Sequence, residues 1–164
     1  MFEDQKKTMV AYNSNPAIYV EKFSKNFKLY ANKDAEKFAS ALSGKKILDV
    51  GCGPGIELEF FREKGLDALG IDLSDSMLKI CQEKGLNVRK MDMKNPILWP
   101  NQFDGIWSLA SLLHIPKERI PLLIQKWKKL LKPKGIVWIM VKEGNKEGFE
   151  IDEDNPSHQR WMTY

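Results

Sequence analysis

The chain has 164 residues and a mass of 18.9 kDa, which is enough for one ordinary domain and leaves little room for a second. With 43% hydrophobic and 29% charged residues, the composition excludes intrinsic disorder, and no apolar run approaches the ~18 residues of a membrane-spanning helix. The N-terminus lacks the apolar segment of a secretion signal and the only cysteines are Cys52 and Cys81, so we expect a cytoplasmic protein without a metal site.

The net charge of +4 is unevenly distributed along the chain. Residues 117–134 contain seven Lys or Arg residues and one acid. One interpretation of this basic block is a nucleic-acid-binding surface. The other is the solvated face and lysine-rich end of an amphipathic helix, where cations complement the helix dipole. We favour the helix, because no aromatic platform for stacking bases accompanies the lysines, and we expect no nucleic-acid partner.

Apolar runs that are typical of strands alternate with segments of helical periodicity along most of the chain. The predicted strands cover residues 46–50, 67–71, 87–90, 103–109 and 135–141. The predicted helices cover residues 55–64, residues 74–84 with Ser74 as N-cap, and a segment that has Pro121 at its first position and ends at Lys132 to Gly135. The last strand is apolar on both faces, so we expect helices to cover it on both sides.

This alternation predicts an α/β fold, in which a Rossmann-like, doubly wound, mostly parallel sheet of about five strands lies between helices. Residues 2–43 precede the first strand and are predicted to form one or two helices rich in aromatic residues. We therefore divide the chain into an N-terminal helical lid, residues 1–43, and a ligand-binding core, residues 44–164.

The most informative motif is the turn that follows the first strand. It carries Gly51, Gly53 and Gly55 at alternate positions between the strand and a helix. Glycine suits such a turn because it accepts positive φ and lets the backbone approach a ligand closely. The next strand ends in Asp72, and an acid about 20 residues beyond the first glycine suits hydrogen bonds to both ribose hydroxyls.

Two classes of nucleotide cofactor bind at such turns. A nicotinamide dinucleotide needs the spacing G-x-G-x-x-G, but the position of its third glycine is Ile56 here. Asp49, just before the glycines, has the wrong charge for a pyrophosphate and suits a cofactor with an amino group or a sulfonium. The motif therefore favours S-adenosylmethionine over an oxidoreductase cofactor. A tight turn without a ligand is the remaining alternative, and it leaves Asp72 unexplained.

The chain contains, in this order, the blocks LDVGCGPG, GIDLS, KMDM and FDGIWSLASLLHIP. With these blocks it resembles class I S-adenosylmethionine-dependent methyltransferases, most of all the small bacterial branch of methyltransferase type 11/25-like and tellurite-resistance-type enzymes. The resemblance covers about residues 8–164. It implies transfer of a methyl group to a small-molecule acceptor, with S-adenosylhomocysteine as the product.

The resemblance implies that the glycine turn binds the methionine portion of the cofactor. Gly51, Gly53 and Gly55 would hold this portion with Cys52 between them, and Asp49 would lie near its amino group. Cys52 is also explained as a small buried residue that fills space.

The resemblance also implies an adenosine-binding surface. Asp72 would bind the ribose hydroxyls, while Leu73 and Met77 would pack against the adenine ring. Asp92 would accept a hydrogen bond from the adenine amino group, beside the Met93 backbone. Ordinary core packing is an alternative for Leu73 and Met77, and capping of a turn is one for Asp92.

The methyl-transfer end of the site is implied by two further segments. Ser108, Leu109 and Ala110 follow the fourth strand and would line the sulfonium and its methyl group. Tyr12 and Tyr19 match the pattern of the branch in YNSNPAIY and would close the lid over cofactor and substrate. Because they are seven residues apart on one helical face, packing alone is an alternative explanation.

The candidate catalytic residues are His114 and Tyr12. His114 is the only side chain near the end of the fourth strand that titrates around neutral pH, so it is the candidate base. A structural role is the alternative, since methyl transfer often needs no base. The residues after the fourth strand, 108–111, read Ser-Leu-Ala-Ser and lack the Asp/Asn-Pro-Pro-aromatic motif of DNA amino-methylating enzymes. We therefore expect a small-molecule acceptor.

The C-terminal region departs from the pattern of the family. Such enzymes usually continue past the fifth strand with a helix and a hairpin that complete a seven-stranded sheet, whereas this chain stops where we expect that continuation to begin. Strand 135–141 would then be an open edge, so we expect a homodimer or another partner to cover it, or a shortened form of the protein. A cofactor-binding regulatory protein without catalysis is the alternative function.

Overall fold

The computed structural model describes residues 3–164, and its centre is a five-stranded parallel sheet with the strand order β3-β2-β1-β4-β5. The strands are β1 (Lys46–Val50), β2 (Asp67–Asp72), β3 (Val88–Lys90), β4 (Phe103–Leu109) and β5 (Leu131–Met140). The order confirms the predicted α/β class, because right-handed helical crossovers between parallel strands build this doubly wound arrangement.

Helices cover both faces of this sheet. They are α1 (Glu3–Ser14), α2 (Pro16–Asn26), α3 (Asn32–Ala41), α4 (Ile56–Glu63), α5 (Asp75–Glu83) and α6 (Ile120–Leu130). A π-helical turn, Phe27–Ala31, joins α2 to α3. The N-terminal segment thus forms two continuous helical stretches, as expected, although residue 2 of the predicted range lies outside the described residues.

Local sequence signals set the bounds of the core helices. Ser74 caps α5, since its hydroxyl oxygen accepts a hydrogen bond from the backbone N–H of Met77 at 3.2 Å. Pro121 lies in the first turn of α6, where its missing N–H costs no hydrogen bond. The prediction for Ser74 is confirmed, while α6 begins at Ile120, one residue before the predicted first position.

Of the three hydrophobic clusters found among residues 3–164, two lie on opposite faces of the sheet at β1. Along β1, Ile47 contacts the cluster of Phe38 and Trp107, while Leu48 contacts the cluster of Trp127 on the opposite face. The alternation follows from the two-residue period of a strand. Both faces of β1 are therefore buried by apolar side chains, as in a sheet covered on both sides.

The fifth strand differs from the prediction in its bounds and its burial. It begins at Leu131, pairs there with Phe103, and resumes regular pairing at Ile136 after a bulge in which Lys134 has a φ of 65°. Ile139 is exposed, whereas we expected both faces to be covered. β5 lies at the edge of the sheet, so among residues 3–164 it has a neighbouring strand on one side only.

The strands β6 (Glu147–Ile151) and β7 (Gln159–Thr163) form a separate antiparallel hairpin. It packs against α1, where the backbone N–H of Trp161 donates to Thr8 Oγ1 at 2.9 Å. The sequence analysis did not predict this hairpin. Within residues 3–164, no helix has the length and apolarity needed to cross a membrane.

Candidate functional site

A cavity of about 620 Å³ lies at the carboxyl ends of β1, β2 and β4. Its walls come from the glycine turn, from α1 and α2, and from the hairpin, so residues from both ends of the chain enclose it. Ligands of open parallel sheets bind at this edge, and the volume is in the range of small-molecule sites.

The glycine turn approaches the cavity with its backbone. Gly51 and Gly53 line the cavity with φ values of 74° and 50°. A Cβ on Gly51 would lie 2.3 Å from the Cβ of Ser111, so no other residue fits there. Gly55 does not line the cavity; it is the N-cap residue of α4 and packs against Leu86 and Cys81.

Asp72 lines the cavity and joins two turns. Its Oδ2 accepts a hydrogen bond from the Gly53 N–H and its Oδ1 accepts one from the Ser74 N–H, both at 2.9 Å. Each oxygen keeps a free lone pair. Burial raises the pKa of this carboxyl, although the backbone N–H groups oppose the shift. The geometry suits the predicted acceptor of two hydroxyl protons.

Asp49 carries a buried carboxylate oxygen without a partner. The residue is 2% exposed, and its Oδ2 accepts no hydrogen bond from any residue between 3 and 164. Burial raises its pKa well above the usual value, and Glu57, Cys81 and Asp72 add to the shift. Asp49 lies behind the turn and does not itself line the cavity. An uncompensated buried acid fits a ligand that brings a positive group, as S-adenosylmethionine does.

Glu57 is a site residue that the sequence analysis missed. It lines the cavity from the first turn of α4 and is 8% exposed. Burial raises its pKa to about 7. The sequence does contain a signal for this position. Glu57 lies four residues before Phe61, so both side chains lie on the same, buried face of α4.

Only some of the residues predicted to bind adenine line the cavity. Leu73, Met77 and Met93 line the cavity, whereas Asp92 does not. Asp92 instead caps a turn, since its Oδ1 accepts from the Lys94 N–H at 2.9 Å while its Oδ2 accepts from the Gln5 side chain at 3.0 Å. Gln5 itself lines the cavity.

The end of β4 and the residue after it supply two cavity residues out of the three predicted. Leu109 and Ala110 line the cavity, and Ala110 has a φ of 52°. Ser108 is buried behind them, with its hydroxyl 2.7 Å from that of Ser111, which lines the cavity.

Cys52 also lines the cavity. A hydrogen bond with Cys81 and burial raise the pKa of its thiol, so it is no nucleophile at neutral pH.

Tyr12 and His114 meet in the cavity wall. His114 Nδ1 lies 2.7 Å from the carbonyl oxygen of Trp161, so this nitrogen carries the proton. Its Nε2 therefore accepts a hydrogen bond from the Tyr12 hydroxyl at 2.8 Å. Arg160 Nη1 donates to the same hydroxyl at 2.9 Å. Burial lowers the pKa of His114 to about 4 and raises that of Tyr12, so both groups are neutral at physiological pH.

Arg160 and Asp152, both from the hairpin region, are a second set that the sequence analysis missed. Arg160 Nη2 donates to Asp152 Oδ1 at 2.9 Å, and the hydroxyl of Tyr19 donates to Asp152 Oδ2. Tyr19 is fully buried and does not line the cavity, but its ring packs edge-on against Tyr12 at 4.7 Å between centroids. In this structure, Tyr19 therefore does not face the ligand cavity itself but supports Tyr12, which does.

Sequence comparisons extend over the glycine turn and the strands around it. A family model described as a methyltransferase domain matches residues 47–135. Ubiquinone biosynthesis O-methyltransferase from Methylococcus capsulatus is 36% identical over 106 residues, which make up 60% of this chain and 44% of that protein. The protein of the same name from Pseudomonas fluorescens (strain Pf0-1) is 33% identical over 115 residues, 66% of this chain and 49% of that protein. The chain spans about half the length of these curated relatives.

Among solved structures, the DhpI-SAM-HEP complex aligns with 100% of this chain and with 84% of its own chain. The TM-score is 0.78 at 16% sequence identity. At this identity the likeness concerns the fold alone. It includes the N-terminal helices and the hairpin, which lie outside the residues that the family model matches.

Proposed function

Because the chain belongs to the methyltransferase domain family, we propose that it transfers a methyl group from S-adenosylmethionine to a small-molecule acceptor. The observation that carries the proposal is the buried Asp49 Oδ2, which has no hydrogen-bond partner among residues 3–164, beneath a glycine turn whose far side is closed by Asp72. This pair of acids suits a cationic nucleoside and opposes a diphosphate.

The residues of the cavity have distinct roles in this proposal. The backbone of Gly51 and Gly53 holds the methionine portion, and Asp49 stabilises its ammonium group from behind the turn. Asp72 accepts hydrogen bonds from the ribose hydroxyls with its free lone pairs. Leu73 and Met77 pack against the base.

When bound, S-adenosylmethionine supplies a sulfonium-activated methyl group that a lone pair of the acceptor attacks in line. The chain positions the two reactants and excludes water, and orientation of this kind contributes about 7–11 kcal/mol in favourable cases. Leu109 and Ala110 line the reacting end. Where the acceptor must lose a proton, Tyr12 accepts it as its own proton passes to Nε2 of His114.

A cofactor-binding protein without catalysis is the second candidate. The observation that favours it is that both ring nitrogens of His114 and the proton of the Tyr12 hydroxyl are engaged within the protein, and that His114 with a pKa of about 4 is a weak base. Transfer of a tritiated methyl group to a metabolite extract separates the two candidates. Tight cofactor binding without any labelled product would favour the second.

Calorimetry with S-adenosylmethionine and S-adenosylhomocysteine tests the binding that both candidates share. We expect Asp72→Ala to weaken the affinity for both ligands by about 1–3 kcal/mol, because buried hydrogen bonds are lost. Asp75→Ala is the matched control, since this exposed acid pairs with Lys90 on the surface. Equal affinities of the wild type and Asp72→Ala would contradict the ribose assignment.

The remaining expectations are part of the same proposal. Residues 1–43 act as the lid and residues 44–164 as the core, which is supported by the position of α1 and α2 in the cavity wall. A cytoplasmic location is supported by two buried cysteines that remain free thiols. A second chain covers the edge of β5, which is supported by the position of this strand at the end of the sheet.

A further inference from the structure

The loop between β3 and β4 exposes two large apolar side chains. Ile97 is 83% exposed and Trp99 is 82% exposed, more than any other large hydrophobic side chain among residues 3–164. Pro96 and Pro100 flank the pair and restrict the backbone of the loop. A fixed loop that holds an indole ring in water is costly unless the ring has a partner.

The same loop lies along one face of α6. Its start is held by Lys126, whose Nζ donates to the carbonyl oxygen of Lys94 at 2.8 Å. Its end is held by the N–H of Asn101, which donates to the carbonyl oxygen of Lys129 at 3.0 Å. Ile97 and Trp99 stand between these two contacts and therefore beside the face of α6 that carries both lysines.

A third apolar residue and an uncompensated positive charge complete this surface. Leu122, Lys126 and Lys129 have the i, i+4, i+7 spacing of one helical face, and Leu122 is 60% exposed. No acid occurs in residues 93–103 or 119–134. The acids that adjoin these segments, Asp92, Asp104 and Glu118, already pair with Lys94, Lys132 and Arg119.

We propose that Ile97, Trp99 and Leu122, together with Lys126 and Lys129, form a docking surface for the headgroup region of an anionic lipid bilayer. Tryptophan and aliphatic side chains insert at the level of the headgroups, and adjacent lysines are attracted by the negative surface potential. Apolar insertion and charge are the two signals that reversible membrane binding needs. An aliphatic pair beside a single indole fits lipid better than nucleic acid, which needs a series of stacking rings.

Sedimentation with phosphatidylcholine vesicles tests the proposal, with and without phosphatidylglycerol. We expect binding to the anionic vesicles only, weakened by salt, with a blue shift of the Trp fluorescence. Trp99→Ala should lower the partition coefficient about tenfold or more, and Lys129→Gln should lower it about fivefold.

The control for apolar insertion is a pair of variants with equal exposure. Leu29, on the π-helical turn, is 60% exposed like Leu122 but lies outside the proposed surface. Leu122→Ser should weaken vesicle binding while Leu29→Ser leaves it unchanged, and both should keep the melting temperature and the cofactor affinity of the wild type. The proposal is overturned by equal effects of the two variants, by equal binding to neutral vesicles, or by binding to a single-stranded oligonucleotide without vesicle binding.

Discussion

At the scale of single residues, the site combines groups that a local sequence pattern predicts with groups that it misses. The spacing from the glycines predicted Asp72, and the structure places its carboxylate on the turn itself. Arg160 and Tyr12 are in contact although 148 residues separate them. No periodicity or local motif encodes a contact at this separation, so the polar wall of the cavity was not predictable.

The buried carboxyl of Glu57 leads to a prediction about stability and pH. Its pKa is about 7 in the folded protein and 4.5 as a free side chain, so between these values the folded state binds more protons than the unfolded state. The free energy of unfolding therefore falls as the pH rises from 4.5 to 7, by about 1.4 kcal/mol per unit for this group. Glu57→Gln should remove this contribution.

Urea unfolding of both proteins between pH 4.5 and 8 measures the effect. The stability of Glu57→Gln relative to the wild type should increase up to about pH 7 and then stay constant. The control is Glu59→Gln, because Glu59 lies on the same helix but pairs with Lys84 at the surface. A constant difference between Glu57→Gln and the wild type over the whole range would contradict the burial argument.

At the scale of elements, the sequence predicted the core strands better than the segments around them. The bounds of β1 and β4 agree with the prediction, because a buried parallel strand is a short apolar run that ends at glycines or polar residues. The strands of the hairpin β6–β7 have only five residues each. A two-stranded sheet is marginal alone, so its stability comes from packing on α1, which the local sequence does not specify.

A buried ion pair fixes the hairpin to the cavity wall. Asp152 is fully buried, and its carboxylate depends on Arg160 and on the hydroxyl of Tyr19. Arg160→Met should destabilise the protein by about 3–5 kcal/mol, because it leaves a buried carboxylate without its cation. Urea unfolding measures the loss, and hydrogen exchange should show faster exchange in β6 and β7.

The control for this prediction is a second pair in the same region. Lys22 and Asp154 are partly exposed, so Lys22→Met should cost less than about 1 kcal/mol. Similar losses in the two variants would mean that the arginine contributes no more than a surface cation.

At the scale of the whole molecule, the order of the sheet follows from simple connection rules. Strands that alternate with helices must pair in parallel with right-handed crossovers, which predicted the doubly wound class. The same rules leave one strand at each edge of the sheet. One edge, β3, has only three residues, whereas β5 has ten.

The long edge of β5 leads to the last prediction, which concerns the assembly. Among residues 3–164 this strand has a neighbouring strand on one side only, and its Ile139 side chain is exposed. Proteins protect long edges of this kind by pairing or covering them. We expect a second copy to pair along β5 around a two-fold axis, which makes the two edge strands antiparallel. Light scattering should then give twice the mass of 18.9 kDa.

Ile139→Lys should shift this equilibrium to the monomer, because a charge on the pairing strand opposes association of two edges. Ile151→Lys is the matched control, since Ile151 is an exposed isoleucine on β6, away from the edge. Dilution of the wild type should reproduce the monomer without a loss of helical circular dichroism, because each copy has its own hydrophobic core. A wild type that stays monomeric at high concentration would exclude pairing between copies and leave an unlike partner as the cover of β5.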